Sequence, residues 1–135
     1  MANGTIAFDT LSTSGQISGT AKSVDTDYLA YGSAKCWAHL DLNTENTIDD
    51  SLNTASITDN ATGKFTLTMT NNMSSINYIT AGHASVDAGG SNYNTGITPI
   101  AALLTTAMGF AVSNLSNVEL QDAQDVMPIL FGDLA

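Results

Sequence analysis

Phe65-Thr66-Leu67-Thr68-Met69-Thr70 closes a longer stretch, Ser51-Leu52-Asn53-Thr54-Ala55-Ser56-Ile57-Thr58-Asp59-Asn60-Ala61-Thr62-Gly63-Lys64, and alternates without a break. Apolar side chains fall at Phe65, Leu67 and Met69, threonines at Thr66, Thr68 and Thr70. Period-two alternation with β-branched partners marks a strand with one buried face. The earlier half reads as a looser strand, and Asp59-Asn60-Ala61-Thr62-Gly63 between the two is turn chemistry. Asp and Asn tolerate left-handed backbone and bond their own chain, while glycine supplies positive φ. A β-hairpin is expected here, and with it an all-β protein. The stretch carries no reactive group, and no other stretch holds a catalytic constellation.

Working outward, Ala34 to Leu42 is a second strand. Ala34, Cys36, Ala38, Leu40 and Leu42 form a small apolar face, opposite Lys35, Trp37, His39 and Asp41. Trp37 is expected to pack over a neighbouring strand. Asn43 to Asp50 reads as a polar connection, with Asp49-Asp50 a solvated turn. Asn77 to Ser85 and Phe110 to Ser113 read as further strands. Between them, Ala88 to Gly96 is the longest loop. Thr98, Pro99 and Gly109 stand at the N-cap, N1 and C-terminal positions of a short helix near 99–108. Asp125 to Phe131 is apolar on both faces, which implies burial from both sides. Yet Pro128 cannot donate to a ladder and belongs on an edge. An edge strand with two apolar faces invites covering by another chain. Val126, Met127, Pro128, Ile129, Leu130 and Phe131 are therefore the expected assembly interface. The N-terminal segment is rich in Gly, Thr and Ser, with Thr5-Ile6-Ala7-Phe8 a candidate strand. Residues 1–20 are expected to form an arm or loop, and 21–135 a single β-rich domain, a compact antiparallel β-sandwich or jelly-roll-like fold.

Charge narrows the function. Three lysines, no arginine and thirteen acids give a formal net charge of −10. Phosphate backbones are held by Lys and Arg, so nucleic acid is not an expected partner, nor is an anionic membrane. No apolar run is long enough to span a bilayer, and no secretory leader pattern stands at the N-terminus. The lone Cys36 allows no intramolecular disulfide. Charged residues make up 12% of the chain, a scarcity that suits surfaces meeting other protein copies and suits an ordinary β-sandwich as well.

The sites that chemistry could use are few. Cys36 and His39 have the spacing of half a zinc site, but structural zinc takes four ligands, and strand geometry sends the two to opposite faces. The same geometry separates them as a nucleophile and base. Gly63-Lys64 lacks the upstream glycine of a phosphate loop. Asp25-Thr26-Asp27-Tyr28 has the first acids of a calcium loop without the rest. No cofactor or metal is expected. Asp25, Asp27, Asp49 and Asp50 are the one cluster from which a carbohydrate-active enzyme could draw its acids. Trp37 and Tyr93 are the candidate receptor contacts of a glycan binder, since loops carry recognition.

Gly32-Ser33-Ala34-Lys35 followed by Trp37, Asp50-Ser51-Leu52-Asn53, Ser56-Ile57-Thr58-Asp59-Asn60, Thr62-Gly63, the Phe65–Thr70 strand, Met73, Asn77-Tyr78 and Phe131-Gly132-Asp133-Leu134 stand in a familiar order. They resemble a family of small β-rich virion proteins of tailed bacteriophages, especially marine ones, often labelled tail-fibre or tail proteins. That resemblance implies a non-enzymatic structural protein, made in the host cytoplasm and placed on the virion surface. It implies a homotrimer in contact with capsid or tail proteins. A chain without heptads carries no coiled-coil shaft, which favours a capsid decoration or cement role or a short fibre module. Host surface glycan is the further partner such a module would meet.

Overall fold

The computed structural model describes residues 16–18, 23–25, 31–44, 46–86, 95–100 and 103–135. Ten strands are described: β1 Gln16–Ser18, β2 Ser23–Asp25, β3 Ala34–Asp41, β4 Thr47–Leu52, β5 Thr54–Ala61, β6 Lys64–Met69, β7 Ile79–Ser85, β8 Thr95–Pro99, β9 Ala107–Asn114 and β10 Asp125–Phe131. β1 and β2 pair with each other. The others form two antiparallel four-stranded sheets, ordered β4-β3-β10-β7 and β5-β6-β9-β8. The sheets pack face to face as a β-sandwich, as the alternation led us to expect. The Thr5–Phe8 candidate strand and Tyr93 lie outside the described residues.

One face of each sheet supplies the core. Cys36, Ala38, Leu40, Leu42, Val126 and Leu130 come from or adjoin the first sheet; Phe65, Leu67, Met69, Met108, Phe110 and Val112 come from the second. Phe65 stacks on Phe110 with ring centroids 5.4 Å apart. Removing a ring of that size from water contributes about 2–3 kcal/mol. The hairpin is present, with a tighter turn than expected. Ala61 pairs with Lys64, so Thr62 and Gly63 alone make the turn, and the register shifts between Asp59 and Ala61. Gly63 has φ +65°, and a Cβ there would meet the Gln121 nitrogen and the Val112 carbonyl oxygen at 2.6 Å. Its N–H donates to Asp122 Oδ1 at 2.7 Å.

The sandwich closes differently along its two sides. On one, the chain crosses directly from β4 into β5 through Asn53, whose φ is +58°. Asn53 Oδ1 accepts the Asn71 N–H at 2.7 Å and its Nδ2 donates to the Asn71 carbonyl at 3.0 Å. On the other, β7 approaches β8 at Gly82, where a Cβ would lie 2.7 Å from Ile97 Cγ2.

Three expectations need correction. The short helix near 99–108 is not formed by the described residues of that span. Pro99 ends β8, and Ala107 and Met108 begin β9. Core burial of Met108, Phe110 and Val112 on one side of β9 outweighs the local capping chemistry. Asp49 and Asp50 are strand residues of β4, not a turn. The third concerns β10, which is central, flanked by β3 and β7. Pairing to β7 is continuous from Asp125↔Ser85 to Phe131↔Ile79. Pairing to β3 runs from Val126↔Leu40 to Ile129↔Trp37 in one register, which spans Met127 and Pro128. A proline fits inside a sheet where the ladder makes no demand on its missing N–H.

Candidate functional site

Alternation splits β10 into two sets with different fates. Val126, Pro128 and Leu130 point into the core and are fully buried, while Met127, Ile129 and Phe131 lie on the outer face and are half-buried. Of the six residues expected at an interface, Val126, Pro128 and Leu130 are thus covered inside the subunit. Met127, Ile129 and Phe131 sit on a surface shared with Trp37.

The registers define that surface. One row crosses the whole sheet as Leu52, Trp37, Ile129 and Ala81. On one side of it Phe131 pairs with Ile79; on the other, Asp50 pairs with His39 and Met127 with His83. Leu52 is 48% exposed and Ile79 69%. Large apolar side chains therefore run from one edge of the sheet to the other on the solvent side.

Trp37 is held from beneath. Its carbonyl accepts a hydrogen bond from Thr54 Oγ1 at 3.0 Å, and the same hydroxyl lies 3.4 Å from Cys36 Sγ. These contacts tie β3 to the start of β5. Burial pushes the Cys36 thiol above its ordinary range, with the Thr54 hydrogen bond opposing. Cys36 is a core residue and His39 faces out, so the two do not converge.

Beside Trp37 lies a shallow recess of about 260 Å³, lined by Trp37, Ala38, His39, Asp50, Met127 and Ile129. His39 Nε2 sits 2.9 Å from Asp125 Oδ1 at its margin. Asp50 Oδ1 accepts the Ser51 N–H at 2.8 Å. Such a recess, mostly apolar with a few polar groups at its wall, is the form that small binding sites take.

The acid cluster is not assembled. Asp49 and Asp50 are successive residues of an exposed edge strand, Asp25 ends β2, and Asp27 lies outside the described residues. Among the described residues no three His, Cys, Asp or Glu side chains are grouped to hold a metal ion. Elsewhere, Asp41 closes a local turn with Asn43 and Thr44, and the Thr44 hydroxyl holds its carboxyl below the usual range. Sequence reasoning put Trp37 and His39 on one face of β3 but missed Leu52, Ile79 and Asp50 as their neighbours. Only the cross-strand registers bring them together.

Comparison with protein-family models, curated proteins and solved structures gives no match.

Proposed function

We propose that the chain is a non-enzymatic structural subunit on the surface of a tailed-phage virion, a decoration or cement protein or a short fibre module. It works by associating with other virion proteins through the outer face of the β4-β3-β10-β7 sheet. The observation that carries this is the row Leu52, Trp37, Ile129 with Met127, Phe131 and Ile79 around it. Contiguous exposed apolar surface on a soluble chain marks an interaction site, and Trp anchors dominate such contacts. The resemblance of residues 30–80 and the C-terminal end to virion proteins supports the particle as its setting. The homotrimer implied by that resemblance would present three such faces at once, so weak single contacts add up to tight attachment.

The test uses the purified chain and particles grown without it. Wild type is expected to co-sediment with these particles and to sediment alone as a trimer. Trp37→Ser with Ile129→Ser should abolish co-sedimentation while leaving the circular dichroism spectrum intact. A wild-type chain that never attaches to particles ends the proposal. A second reading, a glycan-binding head, draws on the recess where Trp37 stands beside His39 and Asp50. Loss of glycan-array binding on Trp37→Ala would favour it.

A further inference from the structure

The outer-face recess combines two features that one kind of occupant satisfies together. Its floor is apolar, from Trp37, Met127 and Ile129, and its wall carries the Asp50 carboxylate. We propose that it receives a basic side chain, arginine above all, carried by a partner protein that is not a copy of this chain. The inference rests on the association reading of this face and names what the partner must present.

Consider the possible occupants in turn. A purely apolar side chain would cover the floor and strip water from Asp50 without replacing it, an unfavourable exchange. An acidic side chain would meet Asp50 and the field of a chain with net charge −10. An arginine lays its apolar stem along Met127 and Ile129, sets its guanidinium near the Trp37 indole, and gives Asp50 a partner. Among the described residues Asp50 bonds the Ser51 N–H and meets no cation. His39 is engaged with Asp125.

A second copy of the chain is a poor donor. It has no arginine and only three lysines against thirteen acids. Lys35 donates to Ser33 Oγ at 2.6 Å and lines a separate recess with Leu52, Asn53 and Leu134. Lys64 lies at the β5–β6 turn of the other sheet, paired with Ala61. At this face a second copy brings another Asp50 and no arginine, whereas a basic partner is drawn in by the charge of the chain.

Trp37 is the single tryptophan, so its fluorescence reports this recess alone. The full chain is titrated with a capped pentapeptide bearing a central arginine, with its norleucine and glutamate twins, and with a methyl pyranoside. The arginine peptide should give a saturable change in the millimolar range, roughly what one buried side chain supports. Asp50→Asn, exposed and nearly isosteric, should weaken it about fivefold, and added salt should weaken it further. Norleucine should bind less well, and glutamate and the sugar not at all. Equal binding of norleucine and arginine, a response to the sugar alone, or no response to arginine each overturns the proposal. Particle attachment is read separately. Attachment without arginine binding sinks this inference and spares the proposed function, and the converse result does the opposite.

Discussion

The two outer faces of the sandwich belong to sheets of equal strand number, yet they are made of different material. One carries Leu52, Trp37, Ile129, Met127, Phe131 and Ile79. The other reads Thr58, Thr66, Gly109 along one row and Ser56, Thr68, Ala107 along the next. Threonine meets the backbone preference of a strand and keeps a hydroxyl for water, so that face is complete in solvent. Large apolar side chains satisfy the strand equally well and leave surface still to be covered. A sandwich needs one apolar face per sheet for its core; a second on the same sheet is the surface that the proposed contact would use.

The edges support the same contrast. β4 shifts register between His39 and Leu40, leaving Asp49 without a partner, and β5 shifts twice. Bulges and carboxylates on edge strands discourage strand-to-strand addition. The proposed association therefore runs across the face and not along the edges.

The strongest way to break the contrast is to prise the sheets apart where they meet. Gly82→Val would put a side chain against Ile97 Cγ2 and the Met127 carbonyl oxygen, 2.7 Å and 2.9 Å from an ideal Cβ. A loss of about 2–3 kcal/mol is expected, read from chemical denaturation. A variant as stable as wild type would mean that β7 and β8 do not approach so closely.

A smaller effect comes from the interior between the faces. Burial raises both the Cys36 thiol and the Tyr78 hydroxyl above their ordinary values of 9.0 and 10.0. Each group is neutral when folded, and the unfolded chain ionises first. Their contribution is therefore full below pH 9.0 and is lost as pH rises through the folded values. The melting temperature should fall above that point, and less steeply in Cys36→Ala. An unchanged slope in that variant would remove the thiol from the account.

The smallest effect is expected on the threonine face. Thr68→Val should change stability by no more than about 0.5 kcal/mol and leave particle attachment intact. Attachment lost through Thr68→Val would show that both faces, not one, make contact.

Alternation made the strands at Ala34 and Phe65 legible, because burial on one face is what a period of two records; the strand at Asp125 was legible as a run apolar on both faces. The hairpin was legible, but its turn was placed too early, since Asp59 and Asn60 suit a bulged strand end as well as a turn. β4 was hidden because an edge strand that repels neighbours is written in turn residues, Asp49 and Asp50 among them. Pro99 suited a helix start and a strand end alike, and only burial across β9 separates the two. The candidate site was half legible. Trp37 stood out on a polar face, whereas Met127 and Ile129 could not be assigned to it until β10 was known to lie beside β3.

The position of β10 has a consequence for how the molecule is made. Asp125–Phe131 is the last of the described strands and yet sits between β3 and β7. Until that segment is in place, β3 and β7 have no common neighbour, and the sheet bearing Trp37 cannot zip. Completion thus waits on contacts spanning most of the sequence, which slows the process. A chain without Asp125–Phe131 would be left with two unmatched borders, β3 and β7, open to proteases.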